Sequence, residues 1–168
     1  MIPQYTALYD SQVLYPSPLR NLLMHLAVSG LVAARWTDAI HYEWGRDLLL
    51  NRPDLEAQRV QRMRVLMEQA VPDARVMGYE PLVEHLELPD PGNRHVLAAA
   101  IHAQASVIVT LNRNDFPCES LEPYDMEVMT PDMLLLALLD AEPFATRGVL
   151  ESLVFTAPPS RKWNERRS

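Results

Sequence analysis

Apolar and polar positions along the chain form short blocks that predict helices and strands in turn. The run Val107–Val109 is β-branched and apolar at every position, which is typical of a parallel strand covered on both faces. An alanine-rich helical run precedes it at residues 96–103, with Asn93 as a suitable N-cap after the break at Pro91 and Gly92. A helix followed by such a strand is half of a βαβ unit.

The same alternation continues on both sides of this segment. Thr37, Pro53 and Thr130 are expected to begin helices, and Gly30 to end one. Further strands are predicted at residues 5–9, 31–36, 75–77 and 126–129, and further helices at residues 19–29, 38–51, 53–70, 79–86, 133–139 and 144–155. The pattern predicts an α/β fold with a mainly parallel sheet.

Length and composition predict one domain. At 168 residues and 48% apolar, the chain can bury one sizeable core. We expect this domain to span residues 1–157, followed by a basic, flexible tail at 158–168 that could order on a partner or on RNA. The sequence has no run of 18 apolar residues, and its first residues do not resemble a signal peptide. We therefore expect a cytoplasmic protein with no membrane segment.

Three aspartates fall in turns where strands end or helices begin. Asp10 follows the first strand, Asp90 lies before the alanine-rich helix, and Asp115 lies in the polar turn after residues 107–109. Ligands of open α/β sheets bind at the carboxyl ends of the strands, so a site is expected near Asp115. Asp10 could instead serve only as a turn or cap residue. A fourth acid, Glu43, lies in the helix predicted at residues 38–51, where helix statistics favour a surface position for its side chain.

The residue types exclude several chemistries. The only lysine is Lys162 in the tail, which argues against phosphoacceptor receivers and haloacid-dehalogenase-like phosphatases, because both need a lysine beside the aspartate. Phosphate-binding glycine loops, HExxH and GxSxG are absent, and Cys118 is a lone thiol. The net charge of −7 argues against a general polyanion binder. A carboxylate cluster remains, which suits Mg²⁺ or Mn²⁺.

Three segments of the sequence resemble motifs of a known protein family. DPGNRHVLAAAI at residues 90–101 and IVTLNRNDFP at residues 108–117 resemble the DPDDRHVLAAAI and IVTxNxxDFP motifs of PIN domains, in the branch of VapC-like toxin nucleases. YDSQVLYPSPLR at residues 9–20 is similar to the LDANVLYP-type start of that branch. The resemblance covers residues 7 to about 139.

The resemblance implies a three-layer α/β/α sandwich and metal-dependent cleavage of RNA. An acidic pocket would hold Mg²⁺ or Mn²⁺, with Asp10 as the principal ligand. It further implies a small antitoxin protein as partner and a homodimer. The site residues carried over are Asp10, Glu43, Asp90 and Asp115 as catalytic and metal-binding acids, with Ser11, Asn93, Thr110, Asn112, Arg94 and Arg113 in supporting or substrate-binding positions.

One departure from the family pattern bears on activity. Family members usually carry an acid where this chain has Asn93, and Gly92 replaces the acid before it. An asparagine oxygen can bind a metal ion but cannot neutralise its charge, so metal affinity should fall. Three readings remain open: Asp90 compensates, the nuclease is weakened or inactive, or Asn93 is an introduced change. In the second case the chain would be an RNA- or protein-binding module.

Overall fold

A sheet of four short parallel strands forms the centre of the molecule. The computed structural model describes residues 2–156, so the predicted tail at 158–168 lies outside the described residues. The strands are β1 (Tyr5–Tyr9), β2 (Val32–Arg35), β3 (Val107–Val109) and β4 (Glu127–Met129), in the order β2-β1-β3-β4. Every neighbouring pair of strands is parallel, which confirms the predicted sheet.

Helices flank the sheet, as expected for the predicted three-layer α/β/α arrangement. They are α1 (Ser11–Leu14), α2 (Ser17–Ser29), α3 (Asp38–Asn51), α4 (Ala57–Ala70), α5 (Glu80–Val83), α6 (Arg94–His102), α7 (Cys118–Leu121), α8 (Pro131–Ala141) and α9 (Pro143–Thr156). Short 3-10 turns occur at Pro91–Asn93, Arg113–Asp115 and Glu122–Tyr124. Among residues 2–156, no helix has the length and apolar character needed to cross a membrane.

The strand order determines where a site can form. The chain moves from β1 to β2 on one side and then returns past β1 to β3 on the other. Because parallel crossovers are right-handed, these two connections lie on opposite faces of the sheet. The carboxyl ends of β1 and β3 therefore border the crevice where open α/β sheets bind ligands.

Local capping explains why several predicted boundaries are correct. Thr37 Oγ1 accepts a hydrogen bond from Ile40 N at 3.0 Å, and Thr130 Oγ1 accepts one from Met133 N at 3.2 Å. Each hydroxyl satisfies an amide that the first turn of its helix leaves unpaired. At the end of α2, Gly30 has φ +88°, a conformation that glycine adopts without steric cost.

Two predicted elements are wrong. Pro53 does not begin a helix, because the chain turns there: Leu55 N donates to Arg52 O, and α4 starts only after Glu56. The strand predicted at residues 75–77 is reduced to an isolated bridge between Arg75 and Trp36. A single bridge satisfies local backbone groups but does not extend the sheet.

A buried polar network fixes α3 against β2 and α4. Trp44 Nε1 donates to His41 Nδ1 at 2.9 Å, so His41 carries its proton on Nε2, which lies 3.1 Å from Glu68 Oε1. Trp36 Nε1 donates to the same Glu68 oxygen at 2.9 Å. Because His41 is buried, desolvation lowers its pKa to about 4.

This network predicts a loss of stability in mild acid. Between pH 6.5 and 4 the unfolded chain protonates His41 while the folded chain resists it, so stability falls as pH falls through that window, by roughly 3 kcal/mol at most. Urea unfolding of wild type and His41→Gln at pH 7 and pH 4 should show a smaller pH dependence in the variant. His85→Gln, at an exposed histidine, is the control and should behave as wild type. An equal pH dependence in all three proteins would contradict the assignment.

Candidate active site

Asp10 lies at the carboxyl end of the central strand β1 and is almost fully buried, with 3% of its surface exposed. Its Oδ1 accepts a hydrogen bond from Ser11 N at 2.7 Å, which makes it the N-cap of α1. Its Oδ2 accepts a hydrogen bond from the hydroxyl of Thr110 at 2.9 Å. Thr110 directly follows β3, so the two central strands hold this carboxylate between them.

The surroundings of Asp10 oppose its ionisation. Burial raises the pKa of the Asp10 carboxyl, and the negative charge of Glu43 raises it further. The hydrogen bonds from Thr110 and Ser11, together with His95, act in the opposite direction. Burial dominates, so the pKa remains above its ordinary value, and a positive charge beside Asp10 would stabilise the carboxylate.

Glu43 and His95 face each other beside Asp10. Glu43 lies in α3 and His95 in the first turn of α6, and their Oε1 and Nε2 atoms are 2.8 Å apart. This distance is within ion-pair range, but the two groups are not aligned for a hydrogen bond. In the described structure, Glu43 Oε1 and the other imidazole nitrogen of His95, Nδ1, are buried and have no hydrogen-bond partner. Buried polar atoms are normally satisfied, so these two atoms are exceptions within the fold.

The sequence did not single out His95. Its partner Glu43 is far away along the chain, so no local spacing such as HExxH reveals the pair. The available signal was its place in the motif RHVLAAA, at the start of the helix that leads into β3.

The other two predicted acids lie in separate turns. Asp90 is exposed, and its Oδ1 accepts a hydrogen bond from Gly92 N at 2.8 Å. Asp115 is half-buried, and its Oδ1 accepts one from Asn112 Nδ2 at 3.1 Å. In the described part of the chain, no group of three or more His, Cys, Asp or Glu side chains is arranged to hold a metal ion. That all four acids share one metal pocket therefore stays a prediction.

The remaining predicted site residues are distributed around these turns. Asn93 is half-buried at the start of α6, but its side chain does not cap the helix as the sequence suggested. Arg94 Nε donates to Pro91 O at 3.2 Å, and Arg113 is exposed after β3. Asn112 Oδ1 accepts a hydrogen bond from Asn114 N at 3.2 Å.

Comparison with known proteins agrees with this fold. The family model for the PIN domain matches residues 6–114, which is more than half of the chain, so the chain belongs to the PIN domain family. The resemblance stated from the motifs is thereby confirmed.

The chain also matches a named relative over part of its length. The chain is similar to a Mycobacterium tuberculosis (strain ATCC 25618 / H37Rv) protein named "Putative ribonuclease VapC50", with 44% identity over 69 residues. The match covers 40% of this chain and 41% of the relative, so it spans about two fifths of each protein. No solved structure matches the chain significantly.

The environment of Asp10 predicts that removing its charge stabilises the fold. An acid whose pKa is raised by folding contributes most stability at low pH and loses it as pH rises through the folded pKa. At pH 7, Asp10→Asn should therefore raise the melting temperature by roughly 2–4 °C, since an amide avoids the charge and can still accept from Ser11 N. Calorimetry at pH 7 tests this, with Asp73→Asn, an exposed acid, as the control. A lower melting temperature for Asp10→Asn than for the control would contradict it.

Proposed function

We propose that this chain is a metal-dependent endoribonuclease, the toxin component of a type II toxin-antitoxin system. The observation that carries the proposal is that the buried carboxylate of Asp10 lies close to the carboxylate of Glu43. Both are near the carboxyl ends of β1 and β3, at the switch point where the strand order reverses. Membership of the PIN domain family and the name of the VapC50 relative support it. The substrate would be RNA in the cytoplasm.

The donor set fits a hard divalent cation. Asp10 and Glu43 offer carboxylate oxygens, which Mg²⁺ and Mn²⁺ prefer to nitrogen or sulfur ligands. Glu43 Oε1 is buried and lacks a hydrogen-bond partner, so a ligand there would satisfy it. We propose that Asp10 and Glu43 hold Mg²⁺ or Mn²⁺, with Asp90 and Asp115 completing the pocket. When bound, such a cation lowers the pKa of water to generate a nucleophile and stabilises negative charge on a phosphodiester.

The protein's own groups would hold the two acids in fixed orientations. Thr110 and Ser11 hold the two oxygens of Asp10 in fixed directions, so little reorganisation is needed during the reaction. His95 keeps Glu43 beside Asp10 through their 2.8 Å contact. Glu43 would also orient the attacking water.

Charge explains how an acidic protein could accept RNA. The chain has a net charge of −7, and an empty acidic pocket repels phosphate until cations enter it. Arg94 begins α6 just after the turn that carries Asp90, and Arg113 lies in the same turn as Asp115, so both could bind the flanking RNA backbone. Arg64 on α4 is less available to bind RNA, because it pairs with Asp38.

The same charge suits an inhibitory partner. A small antitoxin could insert a cationic arm into the acidic pocket, where arginine would supply the positive charge otherwise provided by the metal. We propose such an antitoxin as the cognate partner, together with a homodimer of this chain.

A second candidate function rests on Asn93. This residue lies at the start of α6, two positions before His95, where the family motif carries an acid. Without that charge the pocket would bind a cation more weakly, and the chain would then be a weakened or inactive PIN-like module that binds RNA or protein.

The nuclease proposal predicts cleavage that depends on both metal and Asp10. Purified protein should cut single-stranded RNA with Mn²⁺ or Mg²⁺, and EDTA should abolish the cut. Asp10→Asn should reduce the rate roughly 100-fold or more, because it removes several kcal/mol of charge stabilisation. Asp73→Asn should cleave at the wild-type rate. Cleavage that survives EDTA, or an Asp10→Asn variant as active as the control, would refute the proposal.

Restoring the acid separates the two candidate functions. Asn93→Asp should increase Mn²⁺ affinity on the order of tenfold, measured by calorimetry, and should raise RNA cleavage in parallel. The matched control is Asn21→Asp, at an exposed position in α2, which should change neither quantity. Unchanged affinity and cleavage in Asn93→Asp would exclude a ligand role at this position.

A further inference from the structure

A surface depression opens next to the candidate active site, at the start of α1. Its cavity volume is about 300 Å³, at the lower end of the range for small-molecule pockets. Three elements line it: the start of α1 and the turn after it, the second half of α3, and the loop after β3. The lining residues are Ser11, Gln12, Tyr15, Asp47, Asn51 and Leu111, together with Pro16.

The depression adjoins the candidate active site through Ser11 and helix α3. Ser11, on its rim, donates its backbone N–H to Asp10. On α3, Glu43, Asp47 and Asn51 follow at intervals of four residues, so they lie along one face of the helix with a rise of roughly 6 Å between neighbours. An RNA chain with one phosphate at the cation proposed beside Asp10 and Glu43 would therefore place a neighbouring group in this depression.

The walls suit a flat ring. Tyr15 is half-buried, and its hydroxyl accepts a hydrogen bond from Asn51 Nδ2 at 2.9 Å. The backbone carbonyl of Tyr15 accepts a hydrogen bond from Arg20 Nη1 at 3.1 Å. The guanidinium carbon of Arg20 lies in turn 5.1 Å from the centroid of the Trp44 ring. These contacts hold Tyr15 in place. Leu111 lies on the rim with half of its surface exposed. Nucleic acid bases stack on aromatic side chains, and Tyr15 is the aromatic residue among those that line the depression.

The charge of the depression selects what binds there. Asp47 is the only carboxylate among the lining residues, and no lining residue is cationic, so a phosphate would be repelled. An ionised carboxylate only accepts hydrogen bonds, and its two oxygens can accept two parallel N–H groups. Arg46 Nη2 lies 3.5 Å from one Asp47 oxygen in an exposed pair, which is a weak competitor.

We propose that this depression is a nucleobase subsite that binds guanine next to the scissile phosphate. Guanine presents an imino and an amino N–H side by side on its Watson–Crick edge, which match the two oxygens of Asp47. Adenine and cytosine offer only one amino group there, and uracil one imino group. Asn51 and Gln12 supply further amide groups at the rim. The subsite rests on the proposed nuclease function for its role, but its binding of the base does not require metal.

Binding of the base alone can be measured without cleavage. The full chain, labelled with ¹⁵N and kept free of metal, is titrated with GMP, AMP, CMP and UMP in separate NMR experiments. GMP should shift the amide signals of residues 11–16, 47–51 and 111, and the other three nucleotides should shift them far less. Asp47→Asn should lose the GMP response, whereas Asp73→Asn should keep it, and the spectra themselves report that both variants are folded. Absent shifts at these residues, or equal shifts with all four nucleotides, would overturn the proposal.

Cleavage then reports the same preference in the substrate. A single-stranded RNA library of random sequence is digested with Mn²⁺, and the cut ends are sequenced. Wild type and Asp73→Asn should favour guanine at one fixed position beside the cut, and Asp47→Asn should reduce that preference roughly tenfold while still cleaving. Cleavage without base preference would reject the subsite and leave the nuclease intact. Absent cleavage would reject the nuclease, and the NMR titration would then decide the subsite alone.

Discussion

The site is organised around a carboxylate that the fold keeps out of water. Asp10 terminates β1, whose last three residues are fully buried, and its two oxygens are held by a backbone amide from α1 and a hydroxyl from the end of β3. Desolvation makes the charged form of this group costly, and the hydrogen bonds offset only part of that cost. In the proposed metal site, a bound cation would offset the remainder, so burial of Asp10 would favour cation binding.

Helix α3 carries the second acid, Glu43, and is anchored to the fold at both its start and its middle. His41, Trp44 and Glu68 form a chain of hydrogen bonds inside the fold, and Asp38 pairs with Arg64 and Arg75 at the start of the same helix. Glu43 lies between these anchors, where its side chain reaches His95. A functional residue on a helix fixed in this way keeps its geometry better than one on a loop.

The sequence predicted the fold where local signals agreed. Thr37 and Thr130 cap their helices, and Gly30 ends one, because the side chain or conformation needed at each position is specific. It failed at Pro53, because proline suits a turn as well as a first helical turn. It also failed at residues 75–77, because pairing partners for a strand are set by distant parts of the chain.

The candidate site divides in the same way. Asp10 could be proposed from its turn and from the family motifs, and the structure places it at the sheet's switch point. Glu43 looked like a surface residue on helix statistics, because its surroundings depend on α6, which is remote in sequence. The contact of Glu43 with His95 could not be predicted, since it joins two helices whose packing is decided by the tertiary fold.

The four-residue spacing along α3 has a mechanical consequence. Because Glu43 and Asp47 project from the same helix, a rotation of α3 would displace both side chains together. On the buried side of α3, Trp44 is hydrogen-bonded to His41 and His41 contacts Glu68 of α4, so these contacts set the alignment of the whole face. Loosening these contacts would therefore alter the proposed cleavage and the proposed base selection together, through a single movement.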